Sequence, residues 1–291
     1  MSYTIWIFAF LGSCAPDFTN NCGVLGIIAG DEPVVGIATM GKELVIQRAG
    51  QNHFEVYDDD VSTLKHRVTV PGMKNPWCLA ACPHHKCLYI GDAGSSCIYR
   101  IDSTTSKTMQ WSVGGWPIGL STTKSHGLLV SRVSPSSILE YTTNGQVIQE
   151  INLHAHVGSP RHAIALNSHQ LVGLVSVASR GHRVCIVDKT GRFVHSYPSH
   201  QGFGPGLVDI KDPRQMAGDS QGNVFVADFF NDRVVVLSPK LTWVGNVSLA
   251  AFKLDRPSAL HSDELNGRLY IGEWNSGQTV VCTGMYELWA K

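Results

Sequence analysis

Cys78, Cys82, His84, His85 and Cys87 fall within one short stretch, and their types suit metal ligation. The spacing argues against a structural zinc centre. It is C-x3-C-x4-C, without the paired C-x2-C that grips a tetrahedral ion. Residues 83–86, Pro-His-His-Lys, read as a hairpin turn between two apolar strands. Cys78, Cys82 and Cys87 then lie on the strands, where a thiol behaves as a small hydrophobe. A second concentration is of histidine, at His154, His156, His162, His169, His182, His195 and His200. A Ser-His-Asp arrangement is set by geometry, so chain order does not exclude it. Gly218-Asp219-Ser220-Gln221-Gly222 fits the letters G-x-S-x-G, but it spans a turn between two apolar strands, not the strand-to-helix elbow that the motif needs.

The elements that must position these groups are short strands. Residues 202–237 read GFGPGLVDIKDPRQMAGDSQGNVFVADFFNDRVVVL. Spaced glycines lead to Pro213, which lacks an N–H and suits the first residue of a strand. Gln221-Gly222-Asn223 separates two apolar runs as a tight turn, and the glycine accepts positive φ. Val224, Val226, Val234 and Val236 are β-branched and fit a pleated surface. Strand-opening prolines recur at Pro33, Pro76, Pro117, Pro160, Pro213 and Pro257, 41 to 53 residues apart. A period in the forties with about four strands per unit is a propeller signature.

Pro213, Asp219, Gly222-Asn223, Val226-Ala227-Asp228 and Asn231-Asp232-Arg233-Val234 resemble the NHL repeat, the blade unit of a propeller family. The resemblance covers about residues 33–283. It departs most in the fourth unit, where Ser176 to Arg180 replace the Ala-Asp pattern. It implies an all-β fold: one six-bladed β-propeller over residues 1–291, with four-stranded antiparallel blades in 33–291. The last unit runs out of chain near residues 285–289. The apolar segment 3–10 is therefore expected to pair with the last blade as its outer strand, with 17–31 crossing between blades. An open sheet edge is a liability that such closure removes.

Composition narrows the function classes. The chain has 291 residues, 43% hydrophobic and 16% charged, with 23 basic and 23 acidic side chains. Zero net charge favours neither nucleic acid nor an anionic membrane. No apolar run is long enough to span a bilayer. Ser13-Cys14-Ala15 resembles a signal cleavage site, but no Lys or Arg precedes Lys42. The expectation is a cytoplasmic monomer, or a secreted one if residues 1–15 are a signal, in which case Cys14 and Cys22 could pair.

Propeller topology places the candidate site. The loop before a blade's first strand and the loop after its second share one face. The first set presents Trp77, Ile118, Arg161, His162, Arg214 and Ser258. The second presents Arg48, Asp92, Arg132, Ala178, Asp228 and Glu273. A mouth ringed by these charges reads as a recognition surface for a protein or peptide, with a small molecule as the alternative ligand. If the chain is an enzyme of the lyase or hydrolase kind, His162, Arg161, Arg214, Asp92 and Glu273 are its candidate workers. RNA binding, known among NHL propellers, needs stacking aromatics, and Trp77, Trp116, Phe229 and Trp274 are available. The peptide-amidating lyases, six-bladed relatives, place zinc-binding histidines on inner loops, so histidine would be expected right after several blade-opening prolines. Here those places hold Trp77, Ile118, Arg161, Arg214 and Ser258, so the zinc site does not carry over. Calcium-dependent esterase propellers line the channel with Asp, Glu and Asn, whereas IGLSTT and HAIALN are apolar or small. No metal or cofactor is expected.

Overall fold

Alternating β-branched and small residues between Gly- and Asp-bearing turns produce an all-β chain. The computed structural model describes residues 21–285, apart from 59, 61–62, 155–157, 168–169, 178–180, 199–209 and 250–251. It contains five four-stranded sheets and one five-stranded sheet. Sheet A runs from Val34–Met40 to Leu64–Thr69, sheet B from Pro76–Cys82 to Thr108–Ser112, and sheet C from Trp116–Thr122 to Val147–Asn152. Sheet D runs from Ser159–Ala165 to Phe193–Tyr197, and sheet E from Pro213–Gly218 to Trp243–Asn246. Sheet F holds Pro257–Asp263, Arg268–Glu273, Thr279–Thr283, Asn21–Ile28 and Ser248–Leu249. The first strands of A to F pack in sequence, and that of F packs back on A. The molecule is a β-propeller, with the core divided among the spaces between sheets. Among the described residues no helix is long and apolar enough to cross a membrane.

Closure by the N-terminal part of the chain is observed, but a different segment performs it. Asn21–Ile28 pairs antiparallel with Thr279–Thr283. The expected partner, 3–10, lies outside the described residues. The crossing loop is also shorter than 17–31, because residues 21–28 of that span are strand. Two parallel pairs, Asn21 with Ser248 and Cys22 with Leu249, tie sheet F to the end of sheet E. Cys22 sits in the buried core with its thiol 3.4 Å from Met285 Sδ; Cys14 lies outside the described residues.

Side-chain bonds stitch the inner strands together. Ser258 Oγ donates to the Val34 carbonyl at 2.6 Å, and Ser121 Oγ to the Ala163 carbonyl at 2.6 Å. Leu260 N–H donates to Gln215 Oε1 at 2.7 Å, and Thr39 Oγ1 lies 2.8 Å from His261 Nε2. Backbones approach closely here: a Cβ on Gly36 would stand 2.5 Å from Leu79 Cβ.

Candidate functional site

One residue in each inner strand, or two in sheet E, is left out of its ladder. Pairing steps from Val34 to Gly36, Pro76 to Cys78, Pro117 to Gly119, Pro160 to His162, Pro213 to Met216 and Pro257 to Ala259. Such bulges re-aim the extra residue. The bulged residues Val35, Trp77, Ile118, Arg161, Arg214, Gln215 and Ser258, with Trp274, line one pit at the hub. Sequence reasoning identified most of this ring, because a proline opens five of the bulges. In sheet A the ruler slips by one: Val34, not Pro33, occupies the opening position opposite Arg48. Val35 was missed for that reason.

The pit is nearly filled. Its volume is about 30 Å³, room for about two waters. Trp77 meets Trp274 edge-on at 5.8 Å, and Trp274 meets Phe229 at 6.1 Å. The Arg214 guanidinium lies 4.3 Å from the Phe229 ring centre and 5.5 Å from that of Trp274, a cation–π arrangement. Asp212 accepts from both Arg161, at 3.0 Å, and Arg214, at 2.8 Å. Two cations share one carboxylate, leaving a local surplus of positive charge. Asp212 went unnoticed in the sequence, although it directly precedes Pro213 and takes a left-handed φ of 52°.

Beside the pit, an apolar cleft of about 380 Å³ opens over sheets B, C and D. Trp77, Trp116, Ile118, Val133, Pro160 and Arg161 contribute to its walls. Trp116 is 55% exposed and the Arg161 side chain 32%. The bulge ring thus has an apolar sector, Val35-Trp77-Ile118, and a cationic sector, Arg161-Arg214.

The other predicted site residues occupy different places. Arg48, Asp92, Arg132, Asp228 and Glu273 do hold equivalent positions, each paired with the residue just before the bulge of its inner strand. They are buried, however, and bond the loop that enters their own sheet instead of ringing the mouth. Asp92 accepts from the N–H groups of Lys74 at 2.9 Å and Asn75 at 2.6 Å. Asp228 accepts from Lys211 N–H at 2.7 Å and Arg233 Nε at 2.7 Å. Glu273 accepts from Asp255 N–H at 2.8 Å and from the Ser276 hydroxyl. Burial pushes the Glu273 carboxyl above its ordinary range, and these bonds oppose the shift only in part.

In sheets A and C the loop offers carbonyls, and the residue is an arginine. Arg48 donates to the carbonyls of Glu32 at 3.0 Å and Gly277 at 2.6 Å, and to Glu55 at 2.7 Å. Burial raises the Glu55 carboxyl, but Arg48, Arg67 and Tyr57 outweigh it and hold the group below the usual range. Arg132 donates to the Val113 carbonyl and to Glu150. In sheet D the register partner of Pro160 is Val175, not Ala178, which lies outside the described residues.

His162 is not at the rim. It is 2% exposed, and both ring nitrogens are used. Nε2–H donates to the Leu120 carbonyl at 2.9 Å, and Nδ1 accepts the Met216 N–H at 3.4 Å. Desolvation pushes its pKa down to about 4, although the Leu120 carbonyl favours the charged form. The bulge explains the misplacement: it turns Arg161 to the pit and sends its neighbour between sheets.

No protein-family model matches the sequence, and no curated protein matches it. Solved structures do. Hydrazine synthase of Kuenenia stuttgartiensis is 17% identical with a TM-score of 0.63, over 89% of this chain and 98% of that one. A streptogramin B lyase is 13% identical with a TM-score of 0.63, over 87% and 82%. A virginiamycin B lyase of Staphylococcus aureus, solved with quinupristin, is 11% identical with a TM-score of 0.61, over 86% and 80%. At these identities the likeness establishes the propeller fold alone.

Proposed function

We propose that the chain is a six-bladed, NHL-type propeller whose bulge-ring face binds an acidic peptide segment bearing an aromatic or aliphatic side chain. The observation that carries this reading is the paired character of the mouth. An apolar cleft walled by Trp77, Trp116 and Ile118 borders directly on Arg161. Large side chains in such a cleft supply most of a peptide's affinity, and an arginine supplies orientation by fork-like hydrogen bonding. Arg161 shares Asp212 with Arg214, so a ligand carboxylate meets incompletely neutralised guanidinium groups.

The residues that catalysis would need are committed elsewhere. His162 has both nitrogens occupied between sheets, while Asp92 and Glu273 hold loop backbones. This supports binding over lyase or hydrolase chemistry. RNA recognition is less favoured, since Phe229 and Trp274 are covered by Arg214 and are not free to stack with bases.

The test is to pan a random phage-displayed peptide library against the full chain and measure recovered peptides by calorimetry. Acidic sequences with a large apolar side chain should emerge, and Arg161→Gln and Trp116→Ala should each weaken them about tenfold or more. Recovered peptides that bind the double variant as tightly as the parent would place the site elsewhere. So would a library that yields no acidic–apolar consensus.

A further inference from the structure

The turns joining the first and second strands of sheets B and C stand side by side, at the end of these strands opposite the bulge ring. Each carries histidine: His84 and His85 on one, His126 on the other. The His84 and His126 rings stack with centres 4.0 Å apart and planes 2° from parallel. His85 meets His84 edge-on at 4.7 Å and His126 at 5.6 Å. The Cys82 thiol lies 3.3 Å from His85 Nδ1. Cys82 is buried, His85 and His126 are half-buried, and His84 is exposed, so an ion can enter from solvent.

These separations can be compared with a tetrahedral site. A metal–imidazole bond of about 2.0–2.1 Å puts the ion about 3 Å from each ring centre, and three rings then have centres about 5 Å apart. The observed 4.0, 4.7 and 5.6 Å bracket that value. A thiolate about 2.3 Å from the same ion stands about 3.5 Å from a ligating nitrogen, close to the 3.3 Å found between Cys82 and His85. We propose that Cys82, His84, His85 and His126 form a binding site for a divalent ion of the zinc class, clasping sheets B and C. Imidazole and thiolate donors exclude magnesium and calcium, which want oxygen ligands.

The ligand atoms do not yet converge: among the described residues no group of three His, Cys, Asp or Glu is already gathered for a metal. The stacked pair must open by side-chain rotation before all four donors face one ion. The sequence could not show this site, because His126 comes from the neighbouring sheet. Cys78 and Cys87 drop out of it. Cys78 directs its thiol toward the Pro117 carbonyl, and Cys87 lies beside Tyr89 and Arg100.

The experiment uses the full chain, stripped with a chelator and titrated with zinc chloride by calorimetry and with cobalt(II) by absorbance. One equivalent should bind with micromolar or tighter affinity, and cobalt should give both tetrahedral visible bands and a thiolate charge-transfer band. His126→Asn keeps a residue that tolerates the left-handed φ of 64° found there; it should weaken binding at least tenfold. Cys82→Ser should remove the charge-transfer band while cobalt still binds. His66→Asn, on an exposed strand, should change nothing. Absence of saturable binding overturns the proposal. So does unchanged affinity in His126→Asn, or a charge-transfer band that survives Cys82→Ser.

Discussion

His162 should make the propeller sensitive to mild acid. In the folded chain its ring is enclosed, with Nε2–H donating to Leu120 and Nδ1 accepting from Met216. Adding a proton to Nδ1 would set two N–H groups against each other in a dry site. The folded pKa is about 4, against 6.5 for an ordinary imidazole. Between these values the unfolded chain holds the extra proton and the folded chain does not, so stability rises with pH across that window. The contribution is complete above pH 6.5 and is lost as pH falls toward 4. At about 1.36 kcal/mol per pH unit, the loss is about 2 kcal/mol by pH 5 and about 3 kcal/mol by pH 4. Other groups titrate in the same range; His261, also pushed down to about 4 by burial, adds to the loss. A difference measurement isolates His162. Urea unfolding of the parent and of His162→Gln should be followed from pH 7.5 to pH 4.5. The variant is less stable at pH 7.5, and the gap should narrow by about 2 kcal/mol at pH 5. A gap that stays constant with pH would refute the assignment of a neutral, doubly bonded imidazole.

Two further outcomes follow from the same geometry. Arg48→Met should destabilise the fold by about 3–5 kcal/mol, measured as a shift in urea midpoint, because it leaves Glu55 half-paired and buried. Gly119→Ala should cost about 1–3 kcal/mol by the same measurement, since a Cβ there meets the Arg161 carbonyl oxygen and stands 2.8 Å from His162 Cα. The effect should exceed that of Gly41→Ala, where φ is left-handed, as it is not at Gly119, but nothing lies within 4 Å.

The repeat and most of the ring of bulged side chains are local matters, and the sequence alone determined them. Prolines that cannot donate to a ladder mark where inner strands begin, and a glycine beside asparagine marks a tight turn. In the structure Asp219 and Asp263 accept from their turn residues Asn223 and Asn266. Counting one residue past each proline therefore found Trp77, Ile118, Arg161, Arg214 and Ser258. Only the tertiary structure decided which way charged side chains face. Arg48, Asp92, Arg132, Asp228 and Glu273 share one ladder position, yet their sign follows whether the adjoining loop presents carbonyls or N–H groups, a polarity set by loop conformation. The same holds for contacts between sheets. Asp212 under two arginines, His162 between three strands and His126 beside His84 each join residues far apart in sequence, and periodicity carries no information about such pairs.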